Sequence, residues 1–366
     1  MSQSSVEEQI KSAGLPVSKG TRMEHREDKL TKEKFGSDLW FSRWTRNVFA
    51  NYPLVSKARG IRFLAECCKG LPAFVIGVGP SLDDEIKELK AVKRRGIIIA
   101  VDAAFRPLLA NDIVPDLVVS FDCKDDQNRL WQDIPKGINV PGLLNSCTAP
   151  ATLASWPGPV LFYNQYHTQD ELCGRILPDI LPELGQIPSC GTVGNMAILA
   201  AHAMGCDPIC LVGFDFCLQP KGDGWRYRAQ DYRYVTLTEA GVPPGWEPTE
   251  IKELYDNDER VSRSSPVLGD DKKEYKTDPE LTFYFDSFKN IMPHFKAPIV
   301  NCTPNGMIPK LDESVVFDPA VGAYKTMTVA EAIKLYCKVE YQAGRTVLPF
   351  LGRIVPDPRR DLVGPA

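Results

Sequence analysis

The segment that most constrains the fold of this 366-residue chain is Ala73-Phe-Val-Ile-Gly-Val-Gly-Pro-Ser81, together with the apolar runs that follow it. Ala73 to Gly77 is a short apolar run ending in glycine, and Leu82, Ile86, Leu89 and Val92 then recur at helical spacing. The pattern predicts a strand, a tight turn and a helix. Gly96-Ile-Ile-Ile-Ala-Val101 and Asp116-Leu-Val-Val-Ser-Phe121 are apolar at nearly every position, which suits strands covered on both faces of a parallel sheet. A short helix over Phe105 to Ala110 is expected between them. Weaker strands are predicted at 137–144 and 159–163, then a helix over Val193 to Met204 and a buried strand from Pro208 to Gly213. The expected fold class is α/β: a Rossmann-like, doubly wound, mostly parallel sheet with helices on both faces, an N-terminal helical segment and a long lid-like insertion.

The remaining organisation follows from where this alternation stops. Residues 1–37 are rich in charge and poor in large apolar side chains, so a flexible arm is expected there. Residues 38–70 carry Leu39, Trp40, Trp44, Val48, Leu54 and Ile61 at spacings that suit one or two amphipathic helices. The nucleotide-binding core is expected over 71–216. Residues 217–278, dense in Gly, Pro, Trp, Tyr and charge, read as an insertion or lid. Residues 279–345 are expected to complete the core with a helix over Pro279 to Phe295, a strand over Pro298 to Asn301 and a helix near Thr328 to Ala343, before a tail at 346–366.

Composition narrows the class of function. A net charge of −4 argues against a dedicated nucleic-acid binder, which normally presents a basic face. Eleven scattered cysteines with no C-x-x-C spacing do not form a disulfide framework or a zinc motif, and a reducing cytoplasm is the simplest compartment. No stretch reaches the length of a membrane span.

In an open parallel sheet, ligands lie beyond the carboxyl ends of the strands, and four groups of residues fall there. Gly77, Gly79, Pro80 and Ser81 form a turn in which glycine permits close backbone approach to a phosphate. Ser81 can equally cap the following helix, with Asp84 closing a capping box. Asp102 stands where a ribose contact is expected, but the third glycine of the dinucleotide fingerprint is missing, which favours a mononucleotide. Gly191, Thr192 and Asn195 open the Val193 helix and offer a second anion or sugar site, or simple capping and close packing. Asp102, Asp122 with Asp125 and Asp126, and Asp215 follow successive strands. If they converge, Asp102 and Asp122 are candidate Mg²⁺ ligands and any of Asp102, Asp122 and Asp215 a candidate general base; singly, such residues are more often helix caps. His167, after Tyr163-Asn-Gln-Tyr166, is a further candidate base, and the loop Lys221 to Arg228 a candidate source of cations for a phosphate leaving group.

Taken in order, Pro72 to Leu82, Ala100-Val-Asp102, Pro115 to Asp122, Gly191-Thr-Val-Gly194 and Gly205-Cys-Asp-Pro208 through Val212-Gly-Phe-Asp215 resemble the MptE-like superfamily. That superfamily includes 6-hydroxymethylpterin diphosphokinases and motility-accessory-factor glycosyltransferases, and is related to bacterial sialyltransferases that use CMP-sugars. Thr277-Asp-Pro-Glu-Leu281 and Asn301-Cys-Thr-Pro-Asn-Gly306 are similar to the glycosyltransferase group. The resemblance implies a Rossmann-like core in which Gly77, Gly79, Pro80, Ser81, Gly191 and Thr192 contact a nucleotide. Three functions follow as expectations: a glycosyltransferase moving a sugar from a CMP-type donor to a hydroxyl acceptor, a Mg²⁺-dependent diphosphokinase using ATP, and a non-catalytic nucleotide- or sugar-binding protein. The hydroxyl-bearing partner is a sugar, a pterin or a protein Ser/Thr.

Overall fold

The computed structural model describes residues 37–124, 127–131, 134, 140–166, 172–222, 224–229, 257–269, 272–295, 297–303, 305–311, 317–318 and 323–340. Helix α1 (Ser37–Val55) and a 3-10 turn at Ile61–Leu64 lead into strand β1 (Ala73–Ile76). The Gly-Pro-Ser turn then opens a single α-helical turn, α2 (Leu82–Glu85), which continues as a 3-10 helix over Ile86–Val92. The tighter helix has a sequence reason. Ile86, Leu89 and Val92 are spaced by three, the period of a 3-10 helix, and all three are buried on one face.

Strands β2 (Ile97–Val101) and β3 (Leu117–Ser120) flank helix α3 (Asp102–Ala110). Strand β4 (Gly142–Asn145), helix α4 (Pro150–Ser155), strand β5 (Val160–Tyr166), helix α5 (Leu177–Ile180), strand β6 (Gln186–Pro188), helix α6 (Val193–Ala203) and strand β7 (Ile209–Val212) continue the alternation. Every residue of β1, β2, β3, β4, β5 and β7 is buried. Because successive side chains point to opposite faces, this requires cover on both, and the apolar runs supply the material for it.

After β7 the chain makes a hairpin of β8 (Gln219–Lys221) and β9 (Gly224–Arg226). Helix α7 (Asn257–Arg263) and a second antiparallel pair, β10 (Ser265–Leu268) with β11 (Glu274–Thr277), follow. The expected lid therefore contains regular structure that its short, glycine- and proline-rich runs conceal. Helix α8 (Pro279–Ile291), strands β12 (Ile299–Asn301), β13 (Lys310–Leu311), β14 (Phe317–Asp318) and β15 (Ala323–Thr326), and helix α9 (Val329–Tyr336) complete the described elements. The sheet order is β13-β15-β12-β7-β1-β2-β3-β4-β5-β6, with β14 beside β15. Among the described pairs of this sheet, only β14–β15 is antiparallel. The chain thus runs outward from β1 to β6, then returns to place β7 on the other side of β1. No helix among the described residues is long and apolar enough to cross a membrane.

Candidate functional site

The reversal of strand order between β1 and β7 makes their carboxyl ends the topological switch point, where α/β sheets open a crevice. The Gly77–Ser81 turn lies there, but the amides of Gly77, Gly79 and Ser81 bond to the protein. Gly77 N–H donates to Val212 O at 2.8 Å and Gly79 N–H to Gly213 O at 2.9 Å. Ser81 donates to Asp215 twice, from N–H to Oδ1 at 3.2 Å and from the hydroxyl to Oδ2 at 2.8 Å. The next three amides, of Leu82, Asp83 and Asp84, bond to Gly79 O, Pro80 O and Ser81 O.

These bonds explain both glycines. A Cβ on Gly79 would lie 1.9 Å from Asp215 Oδ2, and one on Gly77 2.5 Å from Gly213 O. Ser81 has helical backbone angles and makes no capping bond, so the expected capping box with Asp84 is replaced by the bond to Asp215. The first turn of α2 carries Asp83, Asp84 and Glu85, which opposes an anion at that helix start. The turn is a latch between β1 and β7, with Asp215 at its centre. Asp215, 1% exposed, also accepts from Gln219 Nε2, and its carbonyl accepts from Met307 N–H at 3.0 Å.

Helix α6 presents the opposite electrostatics. Its first turn holds no acidic residue, and Thr192, extended at the cap position, makes no side-chain capping bond. The helix is long enough for its dipole and unpaired amides to favour an anion at this end. It is fixed to the latch by close packing, since a Cβ on Gly194 would lie 2.9 Å from the ring of Phe214 in the turn after β7. Gly191, at φ +82°, turns the chain where a Cβ would meet Ser287 Oγ at 2.7 Å and the Phe283 ring at 2.9 Å. Asn195 folds back over this turn, donating from Nδ2 to Cys190 O at 2.8 Å. The structure therefore brings Gly77–Ser81, Gly191–Asn195 and Asp215 to one place.

The other aspartates lie elsewhere. Asp102, 4% exposed, accepts from Ala103 N–H at 2.8 Å, Ser120 Oγ at 2.7 Å and Gln127 Nε2 at 2.9 Å. Burial pushes its pKa up, these bonds pull it down and the nearby Asp122 charge adds to the rise, for a net upward shift. Asp122 accepts from Lys124 N–H at 3.0 Å and pairs with its ammonium at 3.7 Å. Asp215 belongs to the latch, while Asp102 and Asp122 interact electrostatically with one another. Among the described residues no three His, Cys, Asp or Glu side chains gather as a metal site. With both oxygens of Asp102 already held by protein donors, Asp102 and Asp122 do not fit the open oxygen cage that Mg²⁺ requires.

Beyond β3 and β4, α1 is tied to the loops that follow these strands. Asn47 Nδ2 donates to Cys123 O at 3.0 Å and Cys147 O at 2.9 Å, and Asn51 Nδ2 to Thr148 O at 2.6 Å. Tyr163 to Tyr166 form the end of β5 rather than a loop. His167, Asp125 and Asp126 lie outside the described residues. The Lys221–Arg228 loop reaches the latch: Ala229 N–H donates to Val78 O at 2.8 Å.

Sequence reasoning missed the side of the site built by α7 and α8. Arg260 bridges Asp278 and Glu280 at 2.8 Å each and stacks its guanidinium 4.6 Å from the Tyr227 ring. Burial raises the pKa of Glu280, but Arg260 and a bond from Tyr284 outweigh it and hold the carboxyl low. Asp278 N-caps α8 through Leu281 N–H. Asp278-Pro-Glu280 is a legible helix start, whereas its partner Arg260, eighteen residues earlier, carries no local signal.

The comparisons agree with this architecture. Residues 46–221 match the family model described as 6-hydroxymethylpterin diphosphokinase MptE-like. A 6-hydroxymethyl-7,8-dihydropterin pyrophosphokinase from Methanocaldococcus jannaschii is 34% identical over 77 residues, 20% of this chain and 32% of that protein. The solved MAf glycosyltransferase from Magnetospirillum magneticum AMB-1 superposes with a TM-score of 0.51 at 18% identity, covering 78% of this chain and 38% of that one. The matches thus span about a third of each relative's own length, and the second is a likeness of fold alone. From residue 46 to residue 221, the stretch that builds β1 to β7 and both glycine turns, this chain is similar to the MptE-like family model, which covers just under half of its length.

Proposed function

We propose that this protein is a nucleotide-dependent transferase of glycosyltransferase type, moving a sugar from a CMP-type donor to a hydroxyl acceptor. The observation that carries the reading is the start of α6, uncapped by any side chain and free of acidic residues, set at the switch point of the sheet. Gly191, Thr192 and the backbone N–H of Asn195 hold the phosphate there, the Asn195 side-chain amide being bonded to Cys190 O. Gly77, Gly79, Pro80 and Ser81 form the facing wall, shaped by Asp215, and meet the nucleotide at the half-buried edge of the turn around Val78 and Gly79 rather than through the amides already bonded to the protein. The helix dipole stabilises charge on the departing phosphate. His167, directly after the last residue of β5, is the candidate base for the acceptor hydroxyl. Asp102 and Asp215, enclosed by protein donors, serve as positioning residues. The family model and the 77-residue match support a second reading, diphosphoryl transfer from ATP to a pterin-like hydroxyl.

Thermal shift and calorimetry separate the two. Stabilisation by CMP or CDP without metal is the expected result. A response to ATP only with Mg²⁺ selects the diphosphokinase reading, and no response to any nucleotide removes both.

A further inference from the structure

A phosphate at α6 leaves two neighbouring atoms unexplained. Among the described residues, Asn195 Oδ1 and Ser287 Oγ are buried polar atoms with no hydrogen-bond partner. Asn195 is 0% exposed and Ser287 2%. They come from different helices, α6 and α8, yet both adjoin Gly191. The Asn195 amide is held over this turn by Cys190 O, and Ser287 Oγ lies 2.7 Å from the place a Gly191 side chain would take.

Leaving such groups unpaired costs free energy, so two at one helix end call for a common occupant. The chemistry of that occupant is restricted. An amide oxygen only accepts, while a serine hydroxyl donates and accepts. A phosphate oxygen cannot donate to Asn195, and an ammonium leaves the serine proton without an acceptor. A hydroxyl satisfies both, donating to Oδ1 and accepting from Oγ. We propose that Asn195 and Ser287 form a subsite for a ribose hydroxyl of the nucleotide, beside its phosphate, with Gly191 keeping the space between the two helices open.

This inference rests on the nucleotide reading of α6, and the test keeps the two apart. The full chain and its Ser287→Ala variant are titrated with CMP, CDP, ATP, their 2′,3′-dideoxy forms and inorganic pyrophosphate. The wild type should prefer a ribonucleotide over its dideoxy form by about tenfold, and Ser287→Ala should abolish that preference while leaving pyrophosphate affinity unchanged. Without ligand, Ser287→Ala should melt at or above the wild-type temperature, because it deletes an unpaired hydroxyl. If ribonucleotide and dideoxy forms bind equally in the wild type, or if the variant retains the preference, the subsite is overturned. A lowered melting temperature with unchanged nucleotide affinity assigns Ser287 to a trapped structural water instead. Failure of every phosphate-bearing probe to bind the wild type removes the reading of α6 itself. Asn195→Ser, which shortens the acceptor, gives a second variant with the same expected loss of preference.

Discussion

At the scale of single residues, the latch separates structural from catalytic carboxylates. Gly79→Ala would place a methyl against Asp215 Oδ2, and the carboxylate cannot move aside without breaking its bonds to Ser81 and Gln219. We expect a loss of about 2–4 kcal/mol in urea denaturation. Asp215→Ala should cost about 3 kcal/mol, since it leaves Ser81 N–H and Ser81 Oγ without their acceptor and Gln219 Nε2 with Asn305 O alone. A folded, fully stable Asp215→Ala protein that is simply inactive would show that Asp215 is the base and not the latch. Asp116 offers a test in pH. Its carboxylate accepts from Ile98 N–H at 2.8 Å, and desolvation pushes its pKa up to about 6. A carboxyl with a raised folded pKa binds its proton more tightly when folded. Its contribution is therefore full below about pH 4 and falls as pH rises to about 6. Asp116→Asn keeps the acceptor and removes the charge. It should gain about 1–3 kcal/mol over wild type at pH 7 and nothing at pH 4, measured by denaturation at both.

At the scale of elements, α1 matters through two amides rather than its apolar stripe alone. Asn47 joins α1 to the loops after both β3 and β4. Asn47→Ala strands two buried carbonyls and should cost about 2 kcal/mol of stability, read by denaturant midpoint. An unchanged midpoint would mean that α1 is held by packing. Element identity was largely legible: β1, β2, β3, β7 and α6 fall where uniform apolar runs and helical spacing put them, because those patterns are local. The hairpins β8–β9 and β10–β11 were not. Apart from the buried Gln219 and Tyr275, their described side chains are exposed or half-buried, so no alternation marks them, and pairing across the chain decides their form. The helix after Ser81 was legible as a helix, but its 3-10 character depended on noticing that the apolar spacing shortens from four to three.

At the scale of the molecule, strand order creates the site. Only because β7 returns beside β1 do Gly213 and Asp215 meet the Gly77–Ser81 turn, while α6 is pinned to the same turn by Gly194 against Phe214. A ligand that binds there selects the folded state. CMP or CDP at 100 times its dissociation constant should therefore stabilise the whole protein by about 2.7 kcal/mol. If a nucleotide instead binds without raising the melting temperature, it does not bind the assembled crevice.

The sequence by itself determined the class of fold, the strands that form its centre and the two glycine turns, since burial on both faces and tight turning are written in local runs. Only the tertiary structure decided what those turns do. Gly77 and Gly79 read locally as room for a phosphate, yet the space they leave is filled by the backbone of Gly213 and the carboxylate of Asp215, residues more than 130 positions away. The start of α6 read equally as an anion or sugar site and as ordinary capping, and it is left uncapped beside two unpaired polar atoms. Hydrogen-bond partners are chosen by proximity in space, and a local pattern cannot specify which distant donor or acceptor arrives first.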